Sequence, residues 1–196
     1  MNYKFEVLKE EKAYWGFMKI KRLELRHELY QGGMSPVLVR ECSGRRGVVA
    51  ALVCDRRAQR FIFVEQFRVG AMVAGEPRPW MTEIVAGIMD KDEENPDQCM
   101  AREIQEELGV KAEKLELLTS YYPSLGGSGS KTYLYLAEVD SRQLPEYTGL
   151  VEEGEDIRVV QYSLADTLAH FQRGDLFNNS NTIIALQTFL LRGGKL

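Results

Sequence analysis

The stretch that decides the fold runs from Gly87 to Val110 and reads GIMDKDEENPDQCMAREIQEELGV. It carries start and stop signals for one short helix. Asn95 is a favourable N-cap, and Gln98 stands where it completes a capping box. Pro96 suits the first helical position, and Gly109 suits the position just after the last turn. The sequence therefore predicts a well-delimited helix between Asn95 and Gly109.

The predicted helix has two chemically different faces. Met100, Ile104 and Leu108 recur every four residues and form an apolar stripe. Glu103 and Glu107 have the same spacing on another face. Like charges at this spacing destabilise a helix by roughly 0.2–0.5 kcal/mol per pair. Because this acidic face has few basic neighbours, we expect that a cation binds there. The alternative interpretation is an acidic face that is only solvated.

The type of ligand indicates which cation to expect. Glu106 joins Glu103 and Glu107 on the same helical turn, and no His or Cys lies among these three carboxylates. Oxygen ligands suit hard divalent ions, which often bridge protein carboxylates to substrate phosphates. We therefore expect Mg²⁺ as the cofactor, with Mn²⁺ as a possible substitute.

These residues resemble the signature of the Nudix hydrolases, which reads Gly, five residues, Glu, seven residues, Arg-Glu-U-x-Glu-Glu-x-Gly-U, with U an aliphatic residue. The second half matches in place at Arg102, Glu103, Ile104, Glu106, Glu107, Gly109 and Val110. The first half contains one additional residue. Spacing from Gly87 selects Glu93, whereas spacing back from Arg102 selects Glu94. The sequence leaves this choice open.

The composition indicates an enzyme that binds neither nucleic acid nor a membrane. The chain has 196 residues and a formal net charge of −4, whereas nucleic-acid binding usually requires a basic surface. The pairs Arg45-Arg46 and Arg56-Arg57 are expected to be loop charges. The first residues include no apolar signal segment, and the apolar run 48–54 is too short to span a bilayer. We therefore expect a cytoplasmic protein.

Strand patterns dominate the first part of the chain and helix patterns the last part. Residues 17–30 and 36–42 are predicted to form an antiparallel hairpin around the turn QGGMS. Further strands are predicted at 48–54, 61–68, 80–86, 115–122, 132–139 and 157–162, and two final helices at 163–173 and 181–191. This order predicts an α/β fold with mixed strands and helices on both faces.

The Nudix resemblance implies an α/β/α sandwich with a mixed sheet, preceded by an amino-terminal antiparallel β hairpin. Four further stretches resemble the ADP-ribose pyrophosphatase branch of the family: 65–71, 79–87, 121–130 and 149–159. In that branch the amino-terminal region mediates dimerisation and supplies part of the substrate site. The resemblance thus implies a homodimer, with a β dimerisation and substrate-covering region at 1–45 and a Nudix hydrolase domain at 46–196.

The same branch implies a metal-dependent pyrophosphatase that hydrolyses ADP-ribose to AMP and ribose 5-phosphate. Hydrolysis of another nucleoside-diphosphate sugar, such as GDP-mannose, is the nearest alternative. Related ADP-ribose enzymes commonly carry an acidic residue three places after the glycine pair, where this chain has Ser130. A third possibility is a Nudix domain that has lost catalysis and senses a nucleotide sugar, although the intact carboxylates argue against it.

The resemblance also implies the metal ligands. Glu103, Glu106 and Glu107 would hold the metal together with the backbone carbonyl of Ala86. Arg102 would orient one of these carboxylates, or would simply form an intrahelical ion pair with Glu106.

A second acidic cluster, in GLVEEGEDIRV, would supply the catalytic base. The resemblance places Glu153 at the base and Glu155 at a supporting carboxylate, with Glu152 as the alternative to Glu153. A loop carboxylate is physically reasonable for this role, because a loop can close over bound substrate. The other interpretation is a solvated acidic loop.

Two arginines are candidates for binding the substrate. Arg68 ends an apolar strand, where its charge must reach solvent or an anion, and the resemblance suggests a substrate phosphate or a pocket carboxylate such as Glu83. Arg40, in the predicted hairpin, is the second candidate. A surface salt bridge is the alternative for both.

An aromatic side chain is expected to stack on the adenine base. Phe17 matches the aromatic that does so in related enzymes. Trp15 and Tyr14 are the alternatives, and packing in a core competes with this role for Phe17.

Overall fold

The computed structural model describes residues 2–44 and 47–196. The chain divides into two compact units: one contains the residues up to Gly47 together with Tyr122–Lys131, and the other contains Val48–Tyr121 and Thr132–Leu196. The domain boundary expected between residues 45 and 46 falls outside the described residues, so that boundary stays a prediction. The same holds for the loop charges Arg45 and Arg46.

The first unit contains a three-stranded antiparallel sheet formed by β1 (Phe5–Trp15), β2 (Lys19–His27) and β3 (Leu38–Ser43). Strands β2 and β3 confirm the predicted hairpin. Strand β1 was not predicted, because nearly all of its residues are exposed and an apolar-polar alternation is therefore missing. Ion pairs across β1 and β2 support it instead, between Glu6 and Arg26 at 2.7 Å and between Glu11 and Arg22 at 2.9 Å.

The second unit is built on one mixed sheet. Its strands are β4 (Val48–Asp55), β5 (Arg60–Phe67), β6 (Trp80–Glu83), β7 (Val85–Ile88), β8 (Lys114–Tyr121), β9 (Thr132–Glu138), β10 (Tyr147–Thr148) and β11 (Ile157–Ser163). The strand order is β10-β11-β5-β4-β9-β8, with β6 paired to β5 and β7 paired to β4. Strands β4 and β9 run parallel, while the other pairs are antiparallel. The predicted mixed sheet is confirmed.

Four α-helices accompany this sheet: α1 (Val69–Val73), α2 (Pro96–Leu108), α3 (Leu164–Arg173) and α4 (Ser180–Leu191). Helix α2 begins as predicted, because the Asn95 side chain accepts from the Gln98 amide at 2.9 Å and the Gln98 side chain accepts from the Asn95 amide at 3.0 Å. It ends at Gly109, whose φ of +70° suits glycine. The one-turn helix α1 was not predicted.

Strand β4 shows how the sheet carries a helix layer on each face. Its odd-numbered residues 49, 51 and 53 share a core with the α2 residues Cys99, Met100, Ile104 and Leu108. Its even-numbered residues 50, 52 and 54 share the other core with the α4 residues Ala185, Leu186 and Phe189. Because side chains alternate across a strand, α2 and α4 lie on opposite faces. This confirms the predicted sandwich.

The chain changes its partner strand between β6 and β7, the strand that faces α2. Strand β6 pairs with β5 up to Glu83, and β7 pairs with β4 from Val85 onward. The amide of Ile84, between them, donates to the buried Thr182 hydroxyl of α4 at 3.1 Å. This bond satisfies a buried backbone donor at the point where the strand changes partner.

Among the described residues, no helix has both the length and the apolar character that crossing a membrane requires.

Candidate functional site

The acidic face of α2 is buried. Glu103 and Glu107 are 9 % and 3 % exposed, although carboxylates are rarely buried without a partner. They are placed there because the apolar stripe of α2, which includes Met100, Ile104 and Leu108, packs on the sheet and turns the neighbouring face toward β7. The helix therefore brings two carboxylates into a site of low polarity.

One guanidinium lies at the centre of this acidic face. Arg102 binds both carboxylate oxygens of Glu94, each at 3.0 Å. It also binds Glu106 at 2.7 Å and Glu103 at 2.8 Å, and these contacts raise the pKa of Arg102 further. Arg102 thus forms the intrahelical ion pair with Glu106 and also contacts other carboxylates of the Nudix-like signature.

The structure favours Glu94, rather than Glu93, as the first glutamate of the Nudix-like signature. The Glu94 side chain is mostly buried against Arg102, whereas Glu93 is exposed. The hydrogen bonds from Arg102 lower the pKa of Glu94. The additional residue therefore lies between Gly87 and Glu94, and the spacing from Glu94 to Arg102 is the one seen in the family.

Gly87 allows the Glu103 side chain to lie close to the backbone of β7, a contact that the sequence spacing did not reveal. A Cβ atom at this position would lie 1.9 Å from Cδ of Glu103, which is far inside van der Waals contact. The Glu103 carboxylate thus rests directly against the backbone of β7. Ala86, the preceding residue, is half-buried and pairs with Ala50 in the sheet.

Burial changes the acidity of both carboxylates. Desolvation raises the pKa of Glu103 to about 7, with Arg102 opposing the shift and Glu106 adding to it. Desolvation likewise raises the pKa of Glu107 well above its usual value, and the charges of Glu103, Glu155 and Glu83 add to the effect. The site thus concentrates negative charge where water stabilises it poorly.

The donor set fits a hard divalent cation. The buried Oε2 of Glu107 has no hydrogen-bond partner within residues 2–44 and 47–196, and all the side-chain donors are carboxylate oxygens. Across the same residues, no group of three Asp, Glu, His or Cys side chains is already arranged as a metal cage. Glu103 and Glu106 face Arg102 instead, so holding a cation requires their carboxylates to turn.

A second charged pair lies at the ends of β5 and β6. Arg68 follows β5, Glu83 ends β6, and the two side chains form an ion pair. Burial raises the pKa of Glu83, while the charge of Arg68 opposes that rise. The Arg68 side chain is still half-exposed. The structure therefore brings Arg68 to Glu83, one of the two predicted partners, and leaves part of the Arg68 side chain exposed.

The loop after β10 brings one further carboxylate toward α2. Glu155 is half-buried, and its Oε2 accepts from the Leu150 amide at 3.1 Å. Its charge contributes to the raised pKa of both Glu103 and Glu107. Glu152 and Glu153 lie in the 3₁₀ turn Val151–Glu153 and are exposed. In this arrangement Glu155 is close enough to influence the buried pair, while Glu153 faces solvent.

A contact that the sequence did not reveal anchors this loop. The hydroxyl of Thr148, in β10, donates to the backbone carbonyl of Glu106 at 3.1 Å. Gly149 follows with a φ of +108°, and a Cβ there would meet Glu155 at 3.0 Å. The loop is thus fixed to the last turn of α2. A threonine before a glycine gives no sequence signal for such a contact.

The remaining predicted residues belong to the first unit. Arg40 lies on β3, is exposed and donates to the Val39 carbonyl at 2.8 Å. Phe17 lies in the turn between β1 and β2 and is 76 % exposed, so packing in a core does not account for it. Their roles stay predictions.

The two alternative aromatics are also exposed. Tyr14 and Trp15 end β1, and the ammonium groups of Lys12 and Lys19 lie 4.6 Å and 5.5 Å from the centroid of the Trp15 ring. Exposure alone therefore does not rank the three candidates. Ser130, the departure near the glycine pair, donates its backbone amide to the Ser128 hydroxyl at 3.2 Å.

The chain is similar to a known domain family and to several named proteins. The model of the NUDIX domain matches residues 44–179. The ADP-ribose pyrophosphatase of Haemophilus influenzae is 37% identical over 156 residues, which cover 79% of this chain and 71% of that protein. The ADP-ribose pyrophosphatase of Escherichia coli K12 is 31% identical over 182 residues, or 93% of this chain and 86% of that protein.

One further relative and one solved structure are also similar to the chain. The GDP-mannose pyrophosphatase of Cronobacter sakazakii is 31% identical over 154 residues, which cover 79% of this chain and 78% of that protein. A crystal structure described as an ADP compounds hydrolase covers 97% of each chain, with a TM-score of 0.71 and 19% sequence identity. At that identity the structural match establishes the shared fold.

The close approach of Glu103 to β7 gives a prediction for Gly87. We expect Gly87→Ala to push the Glu103 carboxylate away from β7 and to lower the free energy of unfolding by about 1 kcal/mol, the low end of the cost of overpacking, because the atoms that must move are the end of a flexible side chain. Gly70→Ala is the matched control, because an added Cβ there meets no atom within 4 Å. Urea denaturation of the three proteins measures the difference. Equal stability of the two variants would contradict the contact.

Proposed function

This chain belongs to the NUDIX domain family, and on that premise we propose that it is a metal-dependent pyrophosphohydrolase that cleaves ADP-ribose to AMP and ribose 5-phosphate. The observation that carries the proposal is the buried carboxylate pair Glu103 and Glu107, which lies in the matched part of the chain and includes an unpartnered buried oxygen among the described residues. The names of the relatives with 31–37% identity support the substrate.

The reaction sets three requirements. The diphosphate of the substrate carries negative charge that repels an attacking oxygen, so the enzyme must neutralise it, prepare a nucleophile and fix the line of attack. When bound, Mg²⁺ or Mn²⁺ neutralises phosphate charge and polarises the bond to be cleaved. We propose that Glu103, Glu106, Glu107 and the carbonyl of Ala86 hold this cation.

Two arginines perform different tasks in this scheme. Arg102 balances the charges of Glu94, Glu103 and Glu106 before a cation binds, and it stays bound to Glu94 when Glu103 and Glu106 turn toward the cation. Arg68, whose side chain is partly exposed, binds a phosphate of the substrate through its guanidinium, while Glu83 fixes the direction of the side chain. Arginine suits this role because its planar group binds phosphate oxygens in pairs.

The loop supplies the general base. Glu153 takes a proton from the attacking water, and Glu155 supports the loop through its bond to Leu150. Glu153 is exposed in the 3₁₀ turn, so its action requires the loop to move over bound substrate, as loops in enzymes often do. Glu152, its neighbour, is the alternative base.

GDP-mannose is the second candidate substrate. The 31% identity to a GDP-mannose pyrophosphatase supports it, and so does Ser130, which lacks the acidic charge usual in ADP-ribose enzymes. Both substrates have the same diphosphate linkage, so the buried carboxylates serve either one.

We also propose that the protein is cytoplasmic and that it forms a homodimer. The homodimer is supported by the first unit. The three-stranded sheet of the first unit carries exposed apolar side chains, including Phe5, Val7 and Leu8 on β1 and Val39 on β3. Large exposed apolar patches usually mark a binding surface, and a two-fold pair of chains buries the same patch on both copies. Arg40 and Phe17 then act in the active site of the second copy.

The first test of the proposal is turnover. Purified protein should hydrolyse ADP-ribose to AMP and ribose 5-phosphate in Mg²⁺ or Mn²⁺, and EDTA should abolish the activity because the carboxylates no longer hold a cation. Glu107→Gln should lose far more activity than the control Glu93→Gln, since Glu93 is exposed.

Three outcomes would redirect this conclusion. Near-native activity of Glu107→Gln would contradict the metal assignment. Binding of ADP-ribose without turnover would favour a sensor. A higher kcat/KM for GDP-mannose would favour the second candidate substrate.

The loop carboxylates are separated by a pair of matched variants. Glu153→Gln should lower kcat on the order of 10²–10⁴-fold with little change in KM, as is usual for the loss of a general base. Glu152→Gln, in the same exposed turn, should be nearly silent. Steady-state kinetics measures both. The opposite ranking would assign the base to Glu152, and silence of both variants would leave the loop without a catalytic role.

The dimer is tested by light scattering and by subunit exchange. The intact protein should have twice the mass of one chain. Mixing inactive Glu107→Gln with inactive Arg40→Ala should restore some activity, because one site of a mixed dimer receives an intact Glu107 and an intact Arg40. A fully active monomer would exclude the dimer, and failure to restore activity after proven exchange would exclude the shared site.

A further inference from the structure

A polar residue lies inside the buried strand FIFVEQFR, at Gln66. It is 7 % exposed, and its amide nitrogen Nε2 is buried without a hydrogen-bond acceptor among residues 2–44 and 47–196. Buried side-chain amides normally have partners. Neither the resemblance to the Nudix signature nor the proposed function gives Gln66 a role.

The alternation of β5 shows which face Gln66 occupies. Ile62 and Val64 belong to the core that contains α2, so Gln66 and Arg68 lie on that face as well. Glu83 pairs directly with Val64 on the neighbouring strand. It is therefore the diagonal neighbour of Gln66, at about 7–8 Å between backbones, a distance that long side chains span.

Strand β11, on the other side of β5, brings a second carboxylate segment close to Gln66. Gln66 pairs directly with Ile157 of β11, and Ile157 comes two residues after Glu155. Glu83 and Glu155 both contribute to the raised pKa of Glu107. Gln66 thus lies in the sheet between the two segments whose carboxylates surround the buried acidic pair.

This placement is unfavourable for a residue with a purely structural role. An unpaired amide N–H in an enclosed position destabilises the folded protein, whereas an apolar side chain of similar length would fill the same space without that cost. The electrostatics of the surroundings favour the donor end of an amide pointing at an oxygen. The guanidinium of Arg68, two residues further along, is already engaged with Glu83.

We propose that Gln66 is a substrate-binding residue: its amide group, enclosed in the unliganded protein, turns toward the bound nucleotide sugar and donates an N–H hydrogen bond to a diphosphate oxygen. The phosphate that Arg68 holds by charge is thereby also fixed by a directed hydrogen bond from the same strand, two residues earlier on the same face. This inference rests on the proposed function, since it takes the diphosphate as the ligand.

The test compares Gln66→Met with the control Gln161→Met. Gln161 lies on β11 of the same sheet but is exposed. Gln66→Met keeps the length of the side chain and removes the donor. Its Tm should stay equal to that of the unaltered protein or rise. Its KM for ADP-ribose in Mg²⁺ should increase roughly ten- to hundredfold, as for a lost hydrogen bond to a charged group, with a smaller change in kcat. Gln161→Met should change neither quantity.

Two results would overturn the inference. A KM unchanged in Gln66→Met would show that the amide does not bind substrate. A Tm several degrees lower would show that the amide has a partner in the unliganded protein. Failure of the proposed function is visible separately, because the unaltered protein would then not turn over ADP-ribose at all.

A second measurement needs no turnover and no variant in the sample. The side-chain amide signal of Gln66 in a ¹H–¹⁵N NMR spectrum, assigned by its absence in Gln66→Met, should shift saturably when ADP-ribose is added in EDTA. Saturable shifts of other signals with that one unmoved would overturn the inference.

Discussion

The contacts of Arg102 are the interaction on which the candidate site depends. One guanidinium binds Glu94 from the loop before α2, and Glu103 and Glu106 from α2 itself. Without this positive charge, four carboxylates within one helical turn and its preceding loop would repel one another in a partly buried place. Glu107 receives no such contact: burial raises the pKa of its carboxyl, and its buried Oε2 has no hydrogen-bond partner among the described residues. The arrangement is thus stable enough to fold and still has capacity for a cation.

The rest of the second unit offsets the cost of burying these charges. The α2 helix is capped at both ends and fixed to the sheet by its apolar stripe. Tyr135 of β9 donates to Asp97 in its first turn at 2.6 Å, and Thr148 donates to Glu106 at its last turn. Support from both ends fixes the helix backbone, so that the carboxylates turn toward a cation from fixed positions. Stability is lost at the site and regained around it.

The sheet organises the other half of the site. The strand switch at Ile84 lets the chain contribute Glu83 beside Arg68 and then Gly87 beneath Glu103, within five residues. A hydroxyl of α4, from the opposite face, fixes this switch. Residues of β5 extend the same face toward the loop that carries Glu155. The Arg68–Glu83 ion pair and the carboxylates of α2 therefore share one rigid support.

The sequence by itself determined the elements whose signals are local. The cap at Asn95, the glycine at Gly109 and the four-residue spacing of Glu103 and Glu107 fixed the helix and its acidic face, because caps and periodicity act within a few residues. Buried strands such as β4 and β5 were likewise readable, whereas the exposed strand β1 was not. Only the tertiary structure decided between Glu93 and Glu94, paired Arg68 with Glu83, and brought Glu155 to the buried pair. Those contacts join residues distant in the chain or select between adjacent ones, and the packing of α2 on the sheet, rather than local spacing, determines them.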